Sequence, residues 1–298
     1  MKTFNEDNNF LAIEEKYSNY NDSKIVIQSV PYEHTVSYGE GTINGPKEII
    51  KASAYVEFYD DEFDNELCFS EGIATLYPID LNGCYDKKMI DKVAQCTGEL
   101  LKDDKFVVTL GGEHTISTAP ILAHFNKYNN LSVLHFDAHS DLRDIYQNNK
   151  YSHACFAARV CEFLDPKKLT QVGIRAQCIE ESIFIKEQKV NTFYASAIKR
   201  GSYGTDWMYK LVDTLSNEIY ITFDLDFFDP AIMPATGTPE PDGFNYNDAL
   251  DIFRIIRQKG KKIVGFDVVE LSPMDGLSHP NILAARLVYK LLNMALAK

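Results

Sequence analysis

Short apolar runs, separated by longer polar or amphipathic stretches, recur along the whole chain. Several of the runs are apolar on both faces, which is typical of strands buried inside a parallel sheet. Their flanks are polar or contain glycine. We predict strands at residues 24–30, 72–79, 105–110, 131–136, 169–174, 190–195, 218–223 and 261–269.

Amphipathic segments lie between these runs, at residues 86–102 and 246–260 among others, and the chain closes with a predicted helix at 281–297. Alternating β and α elements predict one doubly wound α/β domain, in which a mainly parallel sheet lies between two helix layers. The first residues are polar and rich in asparagine. We therefore predict an N-terminal arm at residues 1–20, followed by the three-layer α/β/α domain at residues 21–298.

Composition narrows the class of protein. The chain is 45% hydrophobic and 24% charged, which is ordinary for a soluble globular protein. Its net charge of −13 argues against a nucleic-acid partner and favours small cations or metals. No apolar stretch approaches the ~18 residues of a membrane span. With no secretory signal and no C-x-x-C pair among six cysteines, we predict a cytoplasmic protein.

Acidic residues and a histidine directly follow two of the predicted strands. Asp137, His139 and Asp141 come after the run LSVLHF (131–136), and Asp224 and Asp226 come after EIYITF (218–223). Carboxylates and an imidazole at alternate positions form a poor core, but they are good ligands for a divalent metal ion. The two motifs therefore predict a metal site.

His114 and Glu270 also follow predicted strands. Ligands of open parallel sheets bind beyond the carboxyl ends of the strands, so we expect all these residues at one edge. Without Glu270, these residues make six candidate metal ligands. Six exceed what one catalytic ion needs, and they suit two ions that share carboxylates and a water molecule. Oxygen and imidazole ligands without a thiolate favour manganese, with iron, cobalt or zinc as substitutes. The acidic surroundings would attract a cationic substrate.

Seven segments, spread over nearly the whole chain, resemble the ureohydrolases, the family of arginase and agmatinase. They are residues 29–49, 110–117, 135–144, 151–156, 172–176, 222–243 and 266–273. The resemblance implies an arginase-like fold with an eight-stranded parallel sheet, two Mn²⁺ ions per subunit and hydrolysis of a guanidinium group to urea. It also implies a homotrimer or homohexamer.

The resemblance extends to each candidate metal ligand. Asp137 and Asp224 match the carboxylates that bridge the two ions. The remaining positions match terminal ligands, with His114 and Asp141 on one ion and His139 and Asp226 on the other.

Two further positions resemble residues that contact the substrate. Glu270 matches a glutamate that anchors the guanidinium group, and His153 matches a histidine proposed as a proton shuttle. The mechanistic hypothesis is that metal-bridging hydroxide attacks the guanidinium carbon held by Glu270. Asp141 would pass a proton to the leaving amine, and His153 would exchange protons with bulk solvent.

The stretch that follows the first metal motif bears on the substrate. Arginase-like sequences have a polar Asn/Ser/Thr loop there, whereas this chain reads LRDIYQNNKYSHACF (142–156), which is more similar to the agmatinase branch. The expected reaction is hydrolysis of agmatine to urea and putrescine, with N1-aminopropylagmatine as the alternative substrate. Glu33, Glu40 and Asp242 are candidates to receive the distal amine.

Arg143 leaves other substrates open. If its side chain points inward, it would favour a carboxylate-bearing substrate such as guanidinobutyrate, arginine or formiminoglutamate. We favour instead an ion pair with a neighbouring acid such as Asp144. Two more distant alternatives are a metal-dependent amide deacetylase, which typically uses one zinc ion, and a binding protein without catalytic activity.

Overall fold

A computed structural model describes residues 1–297, and it contains one sheet of eight strands. All strand pairs are parallel, which confirms and sharpens the prediction of a mainly parallel sheet. All eight predicted strands are present. They are β1 Ile25–Val30, β2 Ile73–Thr75, β3 Phe106–Gly111, β4 Leu131–Phe136, β5 Leu169–Ile174, β6 Asn191–Tyr194, β7 Glu218–Asp224 and β8 Lys262–Val269.

The order of the strands across the sheet is β2-β1-β3-β8-β7-β4-β5-β6. The four strands that precede the candidate site residues are β3, β8, β7 and β4, and they are consecutive neighbours in the middle of the sheet. Because the strands are parallel, their carboxyl ends meet at one edge. The topology therefore places all the candidate residues side by side.

Residues 1–297 contain eleven α-helices, of which one precedes the first strand and one follows the last. The helix predicted at 86–102 is observed with the same bounds. The helices predicted at 246–260 and 281–297 are also observed, and their ends differ from the predicted ends by no more than two residues. The helices are α1 Glu15–Ser18, α2 Gly45–Ser53, α3 Leu67–Glu71, α4 Asp86–Lys102, α5 Thr118–Lys127, α6 Phe156–Val160, α7 Ile179–Gln188, α8 Ala195–Lys199, α9 Trp207–Asp213, α10 Tyr246–Gln258 and α11 His279–Leu296.

Alternate strand residues pack on opposite helix layers. Ile25 and Ile27 belong to the large core that also contains Phe253 of α10. Val26, between them, packs instead in a cluster with Leu100 of α4. Successive side chains of a strand point to opposite faces of the sheet, so this division shows helices covering both faces. The arrangement is the predicted three-layer α/β/α domain.

The N-terminal residues contact the rest of the chain closely. Phe10, Leu11 and Ile13 are buried in the large core, and the backbone N–H of Phe10 donates to Thr75 Oγ1 at 2.8 Å. The division into an arm at residues 1–20 and a domain from residue 21 stays a prediction. Within residues 1–297, no helix has both the length and the apolar composition needed to cross a bilayer.

Candidate metal centre

The D-x-H-x-D motif leaves the sheet directly after β4. Asp137 is fully buried, and its Oδ1 accepts the backbone N–H of His139 at 2.5 Å. Asp141 is also buried, and its backbone has a φ of +51°, in the left-handed region that non-glycine residues rarely adopt. Such a conformation costs of order 1–3 kcal/mol and is often found at functional sites. The motif therefore curls back so that its polar side chains lie together.

The second motif begins on the last residue of β7. Asp224 accepts the backbone N–H of Asp226 at 2.8 Å, which starts a short 3₁₀ turn over Leu225–Phe227. Asp226 Oδ1 in turn accepts the backbone N–H of Ala138, at 3.0 Å. This hydrogen bond ties the loop after β7 to the loop after β4.

His114 lies at the centre of the cluster, on the 3₁₀ turn that follows β3. Its Nδ1 atom is 3.0 Å from Asp137 Oδ2, 3.1 Å from Asp224 Oδ2 and 3.5 Å from Asp141 Oδ2. His139 Nδ1 is 2.9 Å from Asp226 Oδ2 and 3.5 Å from Asp137 Oδ1. The structure thus brings all six sequence-predicted ligands into one cluster, and Asp137 belongs to both of its halves.

The donor set fits divalent cations on electrostatic grounds. Burial and the neighbouring charge of Asp137 raise the pKa of Asp141 well above its usual value. Burial and the charges of Asp226 and Asp137 have the same effect on the pKa of Asp224. Carboxylates packed together away from water are unfavourable unless cations compensate them. Two dications would supply that compensation.

A buried hydrogen-bond chain sets the tautomer of His114. Asp267, in the middle of β8, accepts hydrogen bonds from the hydroxyls of Tyr220, Ser117 and Thr222. The single hydroxyl proton of Thr222 is used on Asp267, so Thr222 Oγ1 accepts from His114 Nε2, 2.9 Å away. Without a cation, hydrogen bonds to Asp137 and Asp224 raise the pKa of His114 well above its usual value despite its burial, and Nδ1 donates to them. In the neutral ring that metal binding requires, the proton stays on Nε2 and the Nδ1 lone pair faces the carboxylates.

Sequence reasoning missed Asp267 and Thr222 because neither belongs to a motif. The signal that could have identified Asp267 is a charged residue in the middle of the apolar run KKIVGFDVV (261–269). A buried charge needs partners, and the β7–β8 register places Thr222 directly opposite Asp267. Such partners commonly orient metal-binding histidines.

Glu270 follows β8 and contacts the turn that carries His114. Its Oε1 accepts the backbone N–H of His114 at 2.6 Å, whereas Oε2 has no hydrogen-bond partner within residues 1–297. The residue has a φ of +66°, and burial raises the pKa of its carboxyl to about 8. One carboxylate oxygen next to the predicted ions is therefore available to a cationic ligand.

His153 lies in a 3₁₀ turn after the loop at 142–152. Its ring is 3.3 Å from Thr35 Oγ1, and burial lowers its pKa. Thr35 donates to the carboxylate of Glu113, which also accepts the backbone N–H groups of His34 and Thr35. Glu113 thereby holds the loop after β1 against His153.

A cavity of about 520 Å³ opens over the cluster, and His139, Asp141 and His153 are part of its lining. Glu240, Arg143, Glu181 and Arg175 also line it. Glu270 and His114 are not among the lining residues.

Arg143 lines this cavity. The prediction that it pairs with Asp144 is wrong. Asp144 pairs with Arg159 instead, at 2.6 Å. The carboxylate nearest to Arg143 is that of Glu181, whose Oε2 is 3.9 Å from the guanidinium Nε. The guanidinium group also lies over the ring of Tyr146. Its charge is therefore partly balanced at the cavity wall.

The acids predicted to receive the distal amine of the substrate do not line this cavity. Glu33 Oε2 accepts the backbone N–H groups of Gly41 and Ile43, so it supports the loop after β1. Asp242 pairs with Lys199. Neither these two residues nor Glu40 lines the described cavity. Sequence reasoning missed Glu240, a half-buried acid that does line it and whose side chain has no hydrogen bond or ion pair within residues 1–297.

Residues 23–293 match the sequence profile of the arginase family. The chain belongs to the arginase family. It is a ureohydrolase of the agmatinase type, and the candidate His/Asp metal site is the cluster described above. This membership confirms the resemblance predicted from the sequence. The arginase family binds divalent metals, in agreement with the donor set.

Two similar relatives are named for different substrates. An N1-aminopropylagmatine ureohydrolase from Synechocystis sp. is 34% identical over 284 residues, which cover 93% of this chain and 91% of the relative. An agmatinase from Bacillus cereus is 31% identical over 282 residues, which cover 93% of each chain. The solved structure of agmatine ureohydrolase from Thermoplasma volcanium has 30% identity and a TM-score of 0.82, and the match covers 99% of this chain and 94% of that one.

Proposed function

We propose that this protein is a binuclear manganese hydrolase that cleaves agmatine to urea and putrescine. The observation that carries the proposal is the single cluster of six candidate ligands, all buried except the half-buried His139, in which Asp137 is shared between two halves. A shared carboxylate is what two adjacent ions require. N1-aminopropylagmatine, the substrate named for some relatives, is the second candidate because it offers the same guanidinium group on a longer amine.

Three side chains at the cluster each have a separate role in the proposed reaction. When bound, two Mn²⁺ ions lower the pKa of a shared water molecule and supply hydroxide near neutral pH. Glu270 accepts the guanidinium N–H groups with its unpartnered oxygen and fixes the carbon for attack. Asp141, beside His114, would take the proton of the attacking hydroxide and pass it to the leaving amine. His153, at the cavity wall, exchanges protons with solvent.

The charges that line the cavity favour an amine-terminated substrate over a carboxylate-bearing one. The guanidinium group of Arg175 donates to backbone carbonyls, including those of Asp226 and Glu240, so its donors are already used. Arg143 is next to Glu181. Apart from the candidate metal ligands, the remaining charge without a partner on the described part of the cavity wall is the carboxylate of Glu240, which suits a distal ammonium group.

Further features of the proposal come from the family and from composition. We expect a homotrimer or homohexamer that acts in the cytoplasm, in polyamine biosynthesis. The six cysteines are all unpaired in the structure, which is typical of a reducing compartment.

The test is urea release by the manganese-loaded protein at mildly alkaline pH. The substrate panel is agmatine, N1-aminopropylagmatine, arginine, guanidinobutyrate and formiminoglutamate, with formamide measured for the last. We expect the highest kcat/KM for the two amine-terminated guanidines. A preference for a carboxylate-bearing compound would contradict the substrate assignment and would make Arg143 its binding residue.

Glu240→Gln is expected to raise the KM for agmatine by roughly tenfold or more, with little change in kcat. A hydrogen bond to a charged group contributes about 1.5–3 kcal/mol, and the distal amine is far from the bond that breaks. Steady-state kinetics with agmatine and with butylguanidine, which lacks the amine, measure the effect.

The matched control is Asp242→Asn, which removes a nearby acid that pairs with Lys199 outside the cavity. Its KM for agmatine is expected to equal that of the wild type. Equal KM increases for agmatine and butylguanidine in Glu240→Gln would contradict a contact with the distal amine.

His153→Ala is expected to bind both metal ions and to lose about 10²-fold in kcat. The side chain is not within the ligand cluster, and general acid–base groups typically contribute 10²–10⁴-fold. Metal content and kcat are the measurements. His34→Ala is the control, because His34 lies on the loop that contacts His153, but its ring packs at a tilt against Tyr85 instead. Loss of manganese from His153→Ala would refute the shuttle assignment.

A further inference from the structure

His135 is a third imidazole next to the candidate ligands, and its role differs from theirs. It is the penultimate residue of β4 and is fully buried, with its Nε2 atom 2.7 Å from Asp137 Oδ2. By position alone it could be a seventh ligand, since it groups with His114, Asp137 and Asp141. The hydrogen bonds on its other nitrogen decide between these roles.

Gln171 of β5 lies directly opposite His135 in the parallel register. Its side-chain Nε2 donates to the backbone carbonyl of Ser140 at 2.7 Å. A carbonyl can only accept, so the atom of Gln171 that faces it is the NH₂ group. Thr192 Oγ1, 3.3 Å from Gln171 Oε1, supports the same orientation of the amide.

The same NH₂ group is 3.0 Å from His135 Nδ1. An amide nitrogen donates and does not accept, so Nδ1 must be the acceptor and carries no proton. The proton of the neutral ring is then on Nε2, where it is donated to Asp137 Oδ2. A protonated Nε2 has no lone pair for a metal ion.

We propose that Gln171 and His135 form a positioning pair that fixes the carboxylate of Asp137 for two divalent ions, and that His135 is not itself a ligand. Asp137 is then held at both oxygens, by His135 on Oδ2 and by the backbone N–H of His139 on Oδ1. Each oxygen keeps lone-pair capacity for metal binding. Among the described residues, Asp224, the other candidate bridging residue, contacts His114 but no second histidine of this kind.

The test is Mn²⁺ binding to the metal-depleted full-length protein by calorimetry, with metal content measured in parallel. His135→Phe removes the donor, and we expect two ions to bind with roughly 10–100-fold lower affinity. His135→Gln places an amide N–H near the position of Nε2, and we expect affinity within about threefold of the wild type. The low-temperature EPR spectrum of the Mn²⁺ pair is expected to change in the Phe variant and to recover in the Gln variant.

Gln171→Met tests the tautomer, because it removes the group that makes Nδ1 an acceptor. Its Mn²⁺ affinity is expected to fall in the same direction as that of His135→Phe. Gln28→Met is the matched control, since Gln28 is an equally buried strand glutamine that bonds to Thr97, away from the site. Gln28→Met is expected to retain the affinity of the wild type.

Two results would overturn the positioning role. One is unchanged affinity in His135→Phe, and the other is loss of one ion that His135→Gln does not restore, as expected for a ligand. Because this role presupposes the binuclear centre proposed above, wild-type stoichiometry is measured first. A wild type with one ion, or with two ions and no guanidine hydrolysis, would contradict the proposed function, while the ratio of affinities between the variants would still test the pair.

Discussion

Asp224→Asn is expected to give a folded protein that binds at most one Mn²⁺ per chain and loses at least about 10³-fold in kcat. The substituted amide can still accept the backbone N–H of Asp226 through Oδ1, so the turn after β7 keeps its hydrogen bond. The second carboxylate oxygen, which is 3.1 Å from His114 Nδ1, is replaced by an NH₂ group, and the side chain loses its negative charge. An amide cannot bridge two cations, and metal ions contribute several kcal/mol to such reactions.

The same substitution should not destabilise the metal-free protein. Burial, with the charges of Asp226 and Asp137, raises the pKa of Asp224, so its ionised form is unfavourable in the absence of cations. A neutral isostere removes that repulsion. We therefore expect the Tm without metal to equal or exceed that of the wild type. The Tm increase on adding MnCl₂ should be smaller, because stabilisation by a ligand follows its affinity for the folded state.

Metal analysis, calorimetry and thermal unfolding with and without MnCl₂ measure these outcomes. Asp229→Asn is the control, because Asp229 follows the same strand but bonds to the backbone N–H groups of Ala231 and Gly243 outside the cluster. It should bind both ions. An Asp224→Asn protein with two ions of wild-type affinity would refute the bridging assignment.

The sequence predicted the number and positions of the strands because they are buried on both faces and read as continuous apolar runs. The largest error is β2, expected at 72–79 but observed at Ile73–Thr75. Pro78 lies in the predicted part and cannot donate to a strand ladder, and β2 is at the edge of the sheet. Apolar residues therefore continue beyond the point at which strand pairing ends.

The metal cluster was predictable for a different reason. Both acidic motifs begin where a predicted strand ends, and in a parallel sheet that position alone places them at one edge. The supporting residues were not predictable in this way. His135 with Gln171, and Thr222 with Asp267, are paired by the registers of β4–β5 and β7–β8, which a single sequence does not contain.

The cavity wall was the least predictable part. Glu240 lies in the loop TGTPEPDG (236–243), where nothing in the local sequence distinguishes it from Asp242. Only the fold separates them, since Lys199 pairs with Asp242 while Glu240 lines the cavity. Loop conformation depends on long-range contacts, here the bonds of Arg175 to the carbonyls of Glu240 and Pro241.

Glu270→Gln is expected to retain both metal ions and to lose at least about 10³-fold in kcat/KM for agmatine. The amide oxygen can still accept the backbone N–H of His114, so the loop that carries this ligand keeps its bond. What is lost is the negative charge opposite the guanidinium group. Charge-assisted pairs between a guanidinium and a carboxylate are among the strongest hydrogen bonds in proteins, and in a buried site they also orient the reacting carbon.

Two measurements separate this role from an effect on the metals. Metal content should stay at the wild-type value, and calorimetry should show that agmatine no longer binds measurably to the metal-loaded variant. Glu33→Gln is the control, because Glu33 is a half-buried glutamate that also accepts backbone N–H groups, yet these belong to Gly41 and Ile43 and not to a candidate metal ligand. It should keep its kcat/KM. Loss of an ion from Glu270→Gln would show that the carboxylate acts through His114. Full activity of this variant would contradict the proposal that Glu270 binds the guanidinium group.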